Sequence, residues 1–223
     1  MKPQITESLP DYMQWESVAA LIGTQHADCL VARPTNEHQC RETIAFCQRH
    51  DLSICARGGA YSYGDVILND RNLILDTSKF NRILGFDEDT GRITVEPGVT
   101  MIEVLQHVLH KRFDLASIPS ESTITVAGAL GCNVNGRDGW RVGNFGDQVV
   151  ALKLLTASGE LMELDRNTDG DVFRAVIGGM GLLGIVTRVT LQLQKIPSPF
   201  LEISRQPVRD IDRLLDHMRD VEA

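Results

Sequence analysis

A glycine-rich stretch at residues 57–65 carries the residue types that bind an anion through the backbone. It follows a short apolar run at residues 52–56 and reads Arg-Gly-Gly-Ala-Tyr-Ser-Tyr-Gly-Asp. Glycine lets a loop approach a ligand closely because it has no Cβ and tolerates positive φ. Successive N–H groups in such a turn form a concavity that suits a pyrophosphate. The alternative is an ordinary surface turn. The candidate ligand-binding residues are Arg57, Gly58, Gly59, Ala60, Tyr61, Ser62, Tyr63, Gly64 and Asp65.

A second stretch of the same character spans residues 118–136. Small residues alternate there with apolar ones, and no charge follows Glu121 until Arg137. This pattern is typical of backbone buried against a flat group; the alternative is a Gly/Ala-rich core helix packed on a sheet. The polar loop at residues 137–147 contains Trp140 and Arg141, which either face a substrate or are solvated.

Residues 179–184 match the dinucleotide pattern G-x-G-x-x-G. The mechanism of that pattern requires a strand before it and a helix after it, so that the pyrophosphate meets the helix N-terminus. Here the predicted order is a helix, then the pattern, then a strand. Residue 204, twenty positions on, is Ser204 rather than an acidic residue. A nicotinamide-binding Rossmann fold is therefore not predicted, and no P-loop pattern is present.

The elements that must position these stretches are predicted from apolar periodicity. In the first part of the chain the pattern predicts a helix at residues 12–23, a strand at 29–32 and a strand at 53–56. A helix is predicted to begin at Thr35 as N-cap and to run to about His50. This β-α-β-loop order predicts a small α/β layer.

The rest of the chain alternates strands and helices. The predicted strands are 72–76, the hairpin 83–86 with 92–96, then 149–156, 161–164 and 185–193. Two helices are predicted, one opening at Thr100 and one at 171–177, and Pro197 and Pro199 mark a boundary. The first helix places Ile102, Leu105, Val108, Leu109 and Phe113 on one face, and the strand at 149–156 places Val150, Leu152 and Leu154 on one face.

Composition limits the class of protein. The chain has 223 residues, 43% hydrophobic and 23% charged, which is ordinary for a globular protein. The net charge of −8 argues against a surface for nucleic acid or anionic membranes. The cysteines are odd in number and lack a C-x-x-C pair, so neither a disulfide framework nor a zinc or other metal site is predicted. We expect a cytoplasmic protein without a secretory signal or a transmembrane segment.

Taken in order, the stretches at 57–65, 119–136 and 178–187 resemble the FAD-binding domain of the vanillyl-alcohol oxidase / p-cresol methylhydroxylase superfamily. Within it the pattern is closest to the decaprenylphosphoryl-ribose oxidases, followed by the alditol and aldonolactone oxidases. The resemblance covers about residues 29–195. It implies an α+β fold, a PCMH-type domain of two α/β subdomains that grip an extended FAD. It divides the chain into an N-terminal extension (1–25), the FAD-binding domain (26–197) and the beginning of a cap domain (198–223).

The resemblance also implies roles for individual residues. The loop at 57–65 would hold the pyrophosphate, and the backbone of Ile185 and Val186 would reach the adenine. The residues that would line the pyrophosphate and isoalloxazine are Ser120, Thr125, Val126, Ala127 and Gly128. Those that would pass close to the flavin are Cys132, Asn133, Asn135 and Gly136.

Two departures from the family pattern alter the expected chemistry. Alditol and aldonolactone oxidases carry a covalently flavinylated histidine where Tyr61 stands, so Tyr61 implies noncovalent FAD. Decaprenylphosphoryl-ribose oxidases carry a histidine where Asn135 stands, and a lysine and two histidines where Arg137, Gly139 and Trp140 stand. Their substrate is therefore not carried over.

The predicted function is hydride transfer to FAD from a CH–OH group of a sugar, polyol or related alcohol. The alternative is a flavin-binding module that is inactive without a cap domain or a partner subunit. A weaker alternative is a reductase that would need NADPH. No catalytic residue is assigned, because the six histidines are expected on surfaces or helices.

The residues after 197 predict only part of a cap. Residues 200–204 are predicted as its first strand, and an amphipathic helix follows with Ile211, Leu214, Leu215, Met218 and Val221 on its apolar face. One strand and one helix cannot close a cap. We therefore expect a fragment, a truncated product, or a subunit whose partner, or a second copy, covers this face.

Overall fold

The computed structural model describes residues 5, 7–137, 139–203, 205 and 207–222. Its strands are β1 (Met13–Ala19), β2 (His26–Ala32), β3 (Ile54–Arg57), β4 (Leu73–Asp76), β5 (Ile83–Asp87), β6 (Arg92–Val95), β7 (Phe113–Asp114), β8 (Val149–Leu155), β9 (Leu161–Asp165), β10 (Ile185–Gln192) and β11 (Gln194–Lys195). Its α-helices are α1 (Glu37–Arg49), α2 (Met101–Val108), α3 (Val126–Gly131), α4 (Gly139–Val142), α5 (Gly170–Val176) and α6 (Ile211–Glu222).

The first sheet has the strand order β1-β2-β4-β3. The strands β2, β4 and β3 run parallel, and β1 pairs antiparallel with β2. Parallel strands need a crossover, and α1 supplies it between β2 and β3. The helix packs Cys40, Ile44 and Cys47 against Leu30 and Leu73 of the sheet. This arrangement confirms the predicted β-α-β order and delivers the glycine-rich loop at the carboxyl end of β3.

The second sheet is antiparallel, with the order β5-β6-β10-β8-β9. One face carries the larger apolar core, in which Val95 and Val189 of the sheet pack with Val104 of α2, Leu130 of α3 and Phe173 of α5. The strands β7 and β11 form a small separate ribbon. The molecule therefore consists of two α/β units, as the resemblance implied.

The predicted helix at residues 12–23 is wrong, because β1 occupies this region as a strand. Its side chains Met13 and Val18 are buried, and its register pairs Trp15 with Leu30 of β2. Its pairing partner, β2, lies outside the short stretch of sequence over which helical periodicity is assessed, so the local pattern did not reveal the strand. Thus β1, which falls within residues 1–25, forms an edge of the first sheet.

Other differences are local. The helix α1 begins at Glu37, and its N-cap is Asn36 rather than Thr35, since the Asn36 Oδ1 accepts from the Gln39 N–H at 3.0 Å.

The start of α2 agrees with the prediction: Thr100 caps this helix, and Glu103 completes a capping box. The buried face of α2 is Met101, Val104 and Val108, whereas Ile102 and Leu105 are half-buried, Leu109 begins a 3-10 turn and Phe113 lies in β7. In β8, Leu152 and Leu154 of the predicted face are buried and Val150 is half-buried, while Val149 and Leu155 at the two ends of the strand are also buried.

The region after residue 197 differs from the predicted cap. Residues 200–203 do not form a strand, and Ser204 lies outside the described residues. The predicted helix is present as α6, and its side chains Ile211, Leu214, Leu215 and Met218 are exposed. Val221 belongs to α6, but its side chain lies outside the described part. Within the described ranges, none of the helices combines the length and the apolar character that crossing a bilayer requires.

Candidate functional site

The two α/β units meet at a cavity of about 270 Å³. From the first unit it is lined by the end of β3 and the loop that follows, together with Val66, Ile67 and Thr77. From the second unit it is lined by Ile124, by residues of α3 and the segment after it, and by the turn between α5 and β10. The carboxyl end of a parallel strand is the usual edge for a ligand in an α/β sheet, and the end of β3 occupies that position.

The glycine-rich loop presents polar groups that the protein leaves unpaired. The Nε atom of Arg57 is buried and has no hydrogen-bond partner among the described residues. Within that same set, the N–H groups of Gly58, Gly59 and Ala60 donate to no carbonyl or side chain. Ala60 adopts φ 62°, a left-handed conformation that costs a non-glycine residue energy. A buried donor without a partner is costly, so the Arg57 Nε fits a ligand that accepts from it, and the loop N–H groups, at half-buried or exposed positions, are free to bind the same ligand.

Glycine is required where the two units touch. A Cβ on Gly58 would overlap the Oγ1 atom of Thr125, and a Cβ on Gly128 would lie 2.9 Å from the same atom. A Cβ on Gly181 would lie 2.9 Å from the Cβ of Ala56, and Gly181 has φ +76°. Larger residues at Gly58 or Gly181 would therefore force the walls of the cavity apart, whereas one at Gly128 would press on the N-cap of its own helix.

Ion pairs brace the edge of the first sheet beside Arg57. The side chain of Arg33 binds both carboxylate oxygens of Glu16, one of them through Nη2 at 2.8 Å, and its Nε lies 3.6 Å from Asp76. These hydrogen bonds from Arg33 lower the pKa of Glu16 to about 2. Asp76 is the register partner of Arg57 in the pairing of β3 with β4. The ion pairs thus tie β1 to the residue of β4 that pairs with Arg57.

The polar side chains that line the cavity are few. They belong to Arg57, Tyr61, Ser62, Thr77 and Cys132. The Oγ1 atom of Thr77 donates to the Arg57 carbonyl at 3.2 Å, and the Sγ of the exposed Cys132 lies 4.0 Å from the Ser62 Oγ. No histidine, aspartate or glutamate of the described residues lines the cavity. The lining therefore offers donors for an anion and apolar walls, but no carboxylate or imidazole base.

About half of the predicted site residues line this cavity. They are Arg57, Gly58, Gly59, Ala60, Tyr61, Ser62, Ala127, Gly128, Cys132, Ile185 and Val186. The others do not line it: Tyr63, Gly64, Asp65, Ser120, Thr125, Val126, Asn133, Asn135 and Gly136.

Several of the residues that lie outside the lining have visible structural partners. Thr125 is buried and caps α3, where its Oγ1 accepts from the Gly128 N–H at 3.2 Å. The Oδ1 of Asn133 accepts from the Gly146 N–H at 2.9 Å. Ser120 accepts from the Nε of Arg137 at 3.4 Å. Ligand contacts of the whole predicted set stay a prediction.

The largest group that the sequence reasoning left unassigned is the turn before β10. Its lining members are Gly179, Met180, Gly181, Leu183 and Gly184. The turn follows α5 and precedes β10, which confirms the predicted order and excludes the Rossmann use of its G-x-G-x-x-G pattern. Its repeated glycines were a usable signal in the sequence, because positive φ favours glycine. Gly181 and Gly184 do have positive φ. The remaining unassigned lining residues are Ala56, Val66, Ile67, Thr77, Ile124, Leu130, Gly131, Val134, Leu154 and Val176.

A family model described as an FAD binding domain matches residues 29–165. The chain belongs to this FAD-binding family. The resemblance drawn from the three sequence motifs is therefore confirmed, and the cofactor of the family is FAD. The cavity fits such a group, since it combines an unpaired arginine nitrogen, free loop N–H groups and glycines at the narrowest contacts.

Curated relatives agree with this assignment. The chain is 36% identical over 178 residues to decaprenylphosphoryl-β-D-ribose oxidase of Mycolicibacterium smegmatis, covering 79% of this chain and 37% of the relative. It is 29% identical over 160 residues to L-gulonolactone oxidase of Bos taurus, covering 72% of this chain and 36% of the relative. The chain thus spans little more than a third of the length of these relatives.

A solved structure of alkyldihydroxyacetonephosphate synthase has the same fold as this chain. The superposition has a TM-score of 0.74 at 18% identity and covers 85% of this chain and 39% of that protein. At this identity the likeness concerns the fold alone. It confirms the α+β architecture of two α/β units.

Proposed function

We propose that this domain holds FAD noncovalently for an oxidoreductase that oxidises a CH–OH group of a sugar, polyol or related alcohol. The observation that carries the proposal is the buried, unpaired Nε of Arg57 beside loop N–H groups that also lack partners. The names of the relatives, a decaprenylphosphoryl-ribose oxidase and a gulonolactone oxidase, support the substrate class. In this proposal the residues around Asn135, Arg137 and Trp140, which differ from the family pattern, determine which alcohol is the substrate.

Each part of the cavity has a task in this proposal. The FAD, when bound, supplies the redox centre that accepts the hydride. The loop at 57–65 offers N–H groups and the Arg57 side chain to the pyrophosphate. The small residues Ala127 and Gly128 leave room for the flat ring system, and the backbone of Ile185 and Val186 borders the adenine end. Apolar lining excludes water from the bound cofactor.

The residue at position 61 supports the proposal of noncovalent attachment. The hydroxyl of Tyr61 is already hydrogen-bonded to the Oγ1 of Thr123, and it lacks the nucleophilic nitrogen of a histidine. Precipitating the purified protein with acid tests this point. We expect a yellow protein whose FAD appears in the supernatant. Flavin that remains in the pellet would contradict the assignment.

The flavin-binding module without turnover is the second candidate, and one observation favours it. The described lining contains no carboxylate or imidazole that could accept the proton of an alcohol. The base would then come from another region or from a partner subunit. Anaerobic addition of sugars and polyols separates the two candidates: bleaching of the flavin absorbance supports the enzyme, whereas tight FAD binding without bleaching by any of them supports the module.

We also propose a reducing compartment, the cytosol, as the location. All five cysteines are free thiols, and Cys132 is exposed beside the cavity. In an oxidising compartment such an exposed thiol would be prone to oxidation. Fractionation of cells that express the tagged chain tests this proposal, and recovery in a secreted or periplasmic fraction would refute it.

A further inference from the structure

A chain of hydrogen bonds crosses the rim of the cavity. The hydroxyl of Tyr61 is hydrogen-bonded to the Oγ1 of Thr123. That Oγ1 in turn donates to the carboxylate of Glu121, which also accepts from the Thr123 N–H at 3.0 Å. An ionised carboxylate can only accept, so the single proton of the Thr123 hydroxyl is committed to Glu121. Tyr61 must therefore be the donor to Thr123, and the direction of every proton in the chain is fixed.

The charge of Glu121 strengthens this chain. Hydrogen bonds to a carboxylate are shorter and stronger than those between neutral groups. The two bonds from Thr123 lower the pKa of Glu121, because they stabilise its charged form. The Thr123 hydroxyl is thereby polarised, which makes its oxygen a better acceptor for Tyr61.

The chain of hydrogen bonds links the two walls of the cavity. Tyr61 belongs to the glycine-rich loop of the first unit and lines the cavity, and Thr123 precedes the lining residue Ile124 of the second unit. The ring of Tyr61 lies over Gly59, because a Cβ on Gly59 would be 3.1 Å from its Cδ2. The same Cβ would be 3.5 Å from the carbonyl oxygen of Thr123. The tyrosine therefore covers Gly59, where the loop also comes close to the opposite wall.

Little else holds this part of the loop. In the described part of the chain, Gly58, Gly59 and Ala60 form no hydrogen bonds, and the Ser62–Cys132 contact at 4.0 Å is a weak thiol interaction. The Gly58 contact with Thr125 is steric and carries no hydrogen bond. The link from Tyr61 to Thr123 is thus the strong polar connection between the tip of the loop and the second unit.

We propose that Tyr61, Thr123 and Glu121 form a clasp that holds the glycine-rich loop closed over FAD and slows its release. The proposal rests on the FAD site described above. The three side chains are positioning residues. They act on the loop that faces the cofactor, and the exposed carboxylate of Glu121 anchors the far end of the chain.

The release rate of FAD tests the clasp directly. Holo-protein is diluted and the rise in free flavin fluorescence is followed for Tyr61→Phe, Thr123→Val and the double variant. Each single variant should release FAD about fivefold to tenfold faster, the effect of one net hydrogen bond. The double variant should be no faster than the faster single variant, because both remove the same link. Glu121→Gln should fall between wild type and Tyr61→Phe, since it keeps an acceptor without the charge.

Two matched controls remove similar hydroxyls elsewhere. Tyr12→Phe removes a tyrosine hydroxyl bonded to Glu42 at 3.2 Å, and Thr90→Val removes a threonine hydroxyl bonded to Asp87 at 2.7 Å. Both should release FAD at the wild-type rate. Unchanged release from folded Tyr61→Phe and Thr123→Val would overturn the clasp alone, as would full additivity in the double variant. A wild-type protein that binds no FAD would overturn the clasp together with the proposed function.

Discussion

Gly58 lies directly against the side chain of Thr125, so that a Cβ on Gly58 would overlap the threonine Oγ1. This contact joins the first residue after β3 to the N-cap of α3, and so joins the two α/β units beside the cavity. The threonine hydroxyl is occupied by the Gly128 N–H and cannot swing away without uncapping α3. The site therefore depends on the absence of a side chain at Gly58.

Replacing both loop glycines, Gly58→Val with Gly59→Val, should abolish FAD retention. The first change collides with Thr125 and the second presses on the Tyr61 ring, so the loop must move away from the opposite wall. Flavin content per protein, measured by absorbance after gel filtration, checks this. Gly85→Val is the control, because no atom lies within 4 Å of a Cβ there and β5 favours a β-branched residue. A folded double variant with undiminished flavin would contradict the assignment of the loop.

Arg57→Lys should weaken FAD binding by about tenfold or more, although the positive charge is kept. Lysine lacks the Nε–H that is buried here without a partner, and its flexible ammonium cannot reproduce the fork of a guanidinium. Titration of the apoprotein with FAD, followed by quenching of flavin fluorescence, gives the dissociation constant. The exposed Arg188 of β10 provides the control change Arg188→Lys. Equal affinities for wild type and Arg57→Lys would show that Nε does not contact the cofactor.

The Glu16–Arg33 pair should make the stability of the first sheet depend on pH. The pKa of Glu16 is about 2 in the folded protein, below its ordinary value of 4.5, so the unfolded chain takes up the proton first as pH falls. The stabilisation is therefore full above pH 4.5 and is lost between 4.5 and 2. Both side chains are partly exposed (25% for Glu16 and 30% for Arg33), so after allowance for solvent screening we expect about 1–2 kcal/mol.

Comparison of the wild type with Glu16→Gln by urea unfolding at pH 7, 4 and 3 measures this contribution. The difference in the free energy of unfolding should be largest at pH 7 and should shrink at pH 4 and again at pH 3. Glu160→Gln, which removes a carboxylate at an exposed position, is the control variant. A Glu16→Gln difference that is constant from pH 7 to 3 would mean that the ion pair is not formed.

Cys132 should be the thiol that reacts fastest, and FAD should protect it. Cys132 is exposed and lines the cavity, whereas Cys29, Cys40 and Cys47 are buried. Burial also raises the pKa of both Cys40 and Cys47 to about 12, which suppresses their thiolate forms. Labelling with a disulfide reagent, with and without added FAD, and mass spectrometry of the labelled site check this.

The variant Cys132→Ser is the control for that labelling, and it should lack the fast phase. If another cysteine carries the fast label, the order of thiol exposure is wrong. If FAD leaves the rate at Cys132 unchanged, this end of the cavity does not contact the cofactor.

Much of the architecture follows from local patterns in the sequence. The run before the loop at 57–65, the hairpin of β5 and β6, and the alternating residues of β10 each carry their signal within a few neighbouring positions. Thr100 and Glu103 likewise define the start of α2 by their spacing alone. The strand β1 was missed because its pairing with β2 depends on a partner outside any local window, and the same tertiary packing selected Met101 and Val104 as the buried face of α2.

By itself, the sequence determined the motifs, their order and the family, because glycine-rich turns, caps and apolar periodicity are properties of adjacent residues. It could not determine which distant segments share one cavity. The contact of Gly58 with Thr125, the turn at 179–184 against Ala56, and the link from Tyr61 to Thr123 join residues separated by tens of positions. Only the packing of the two sheets brings them together, since a close approach depends on the shape of both surfaces.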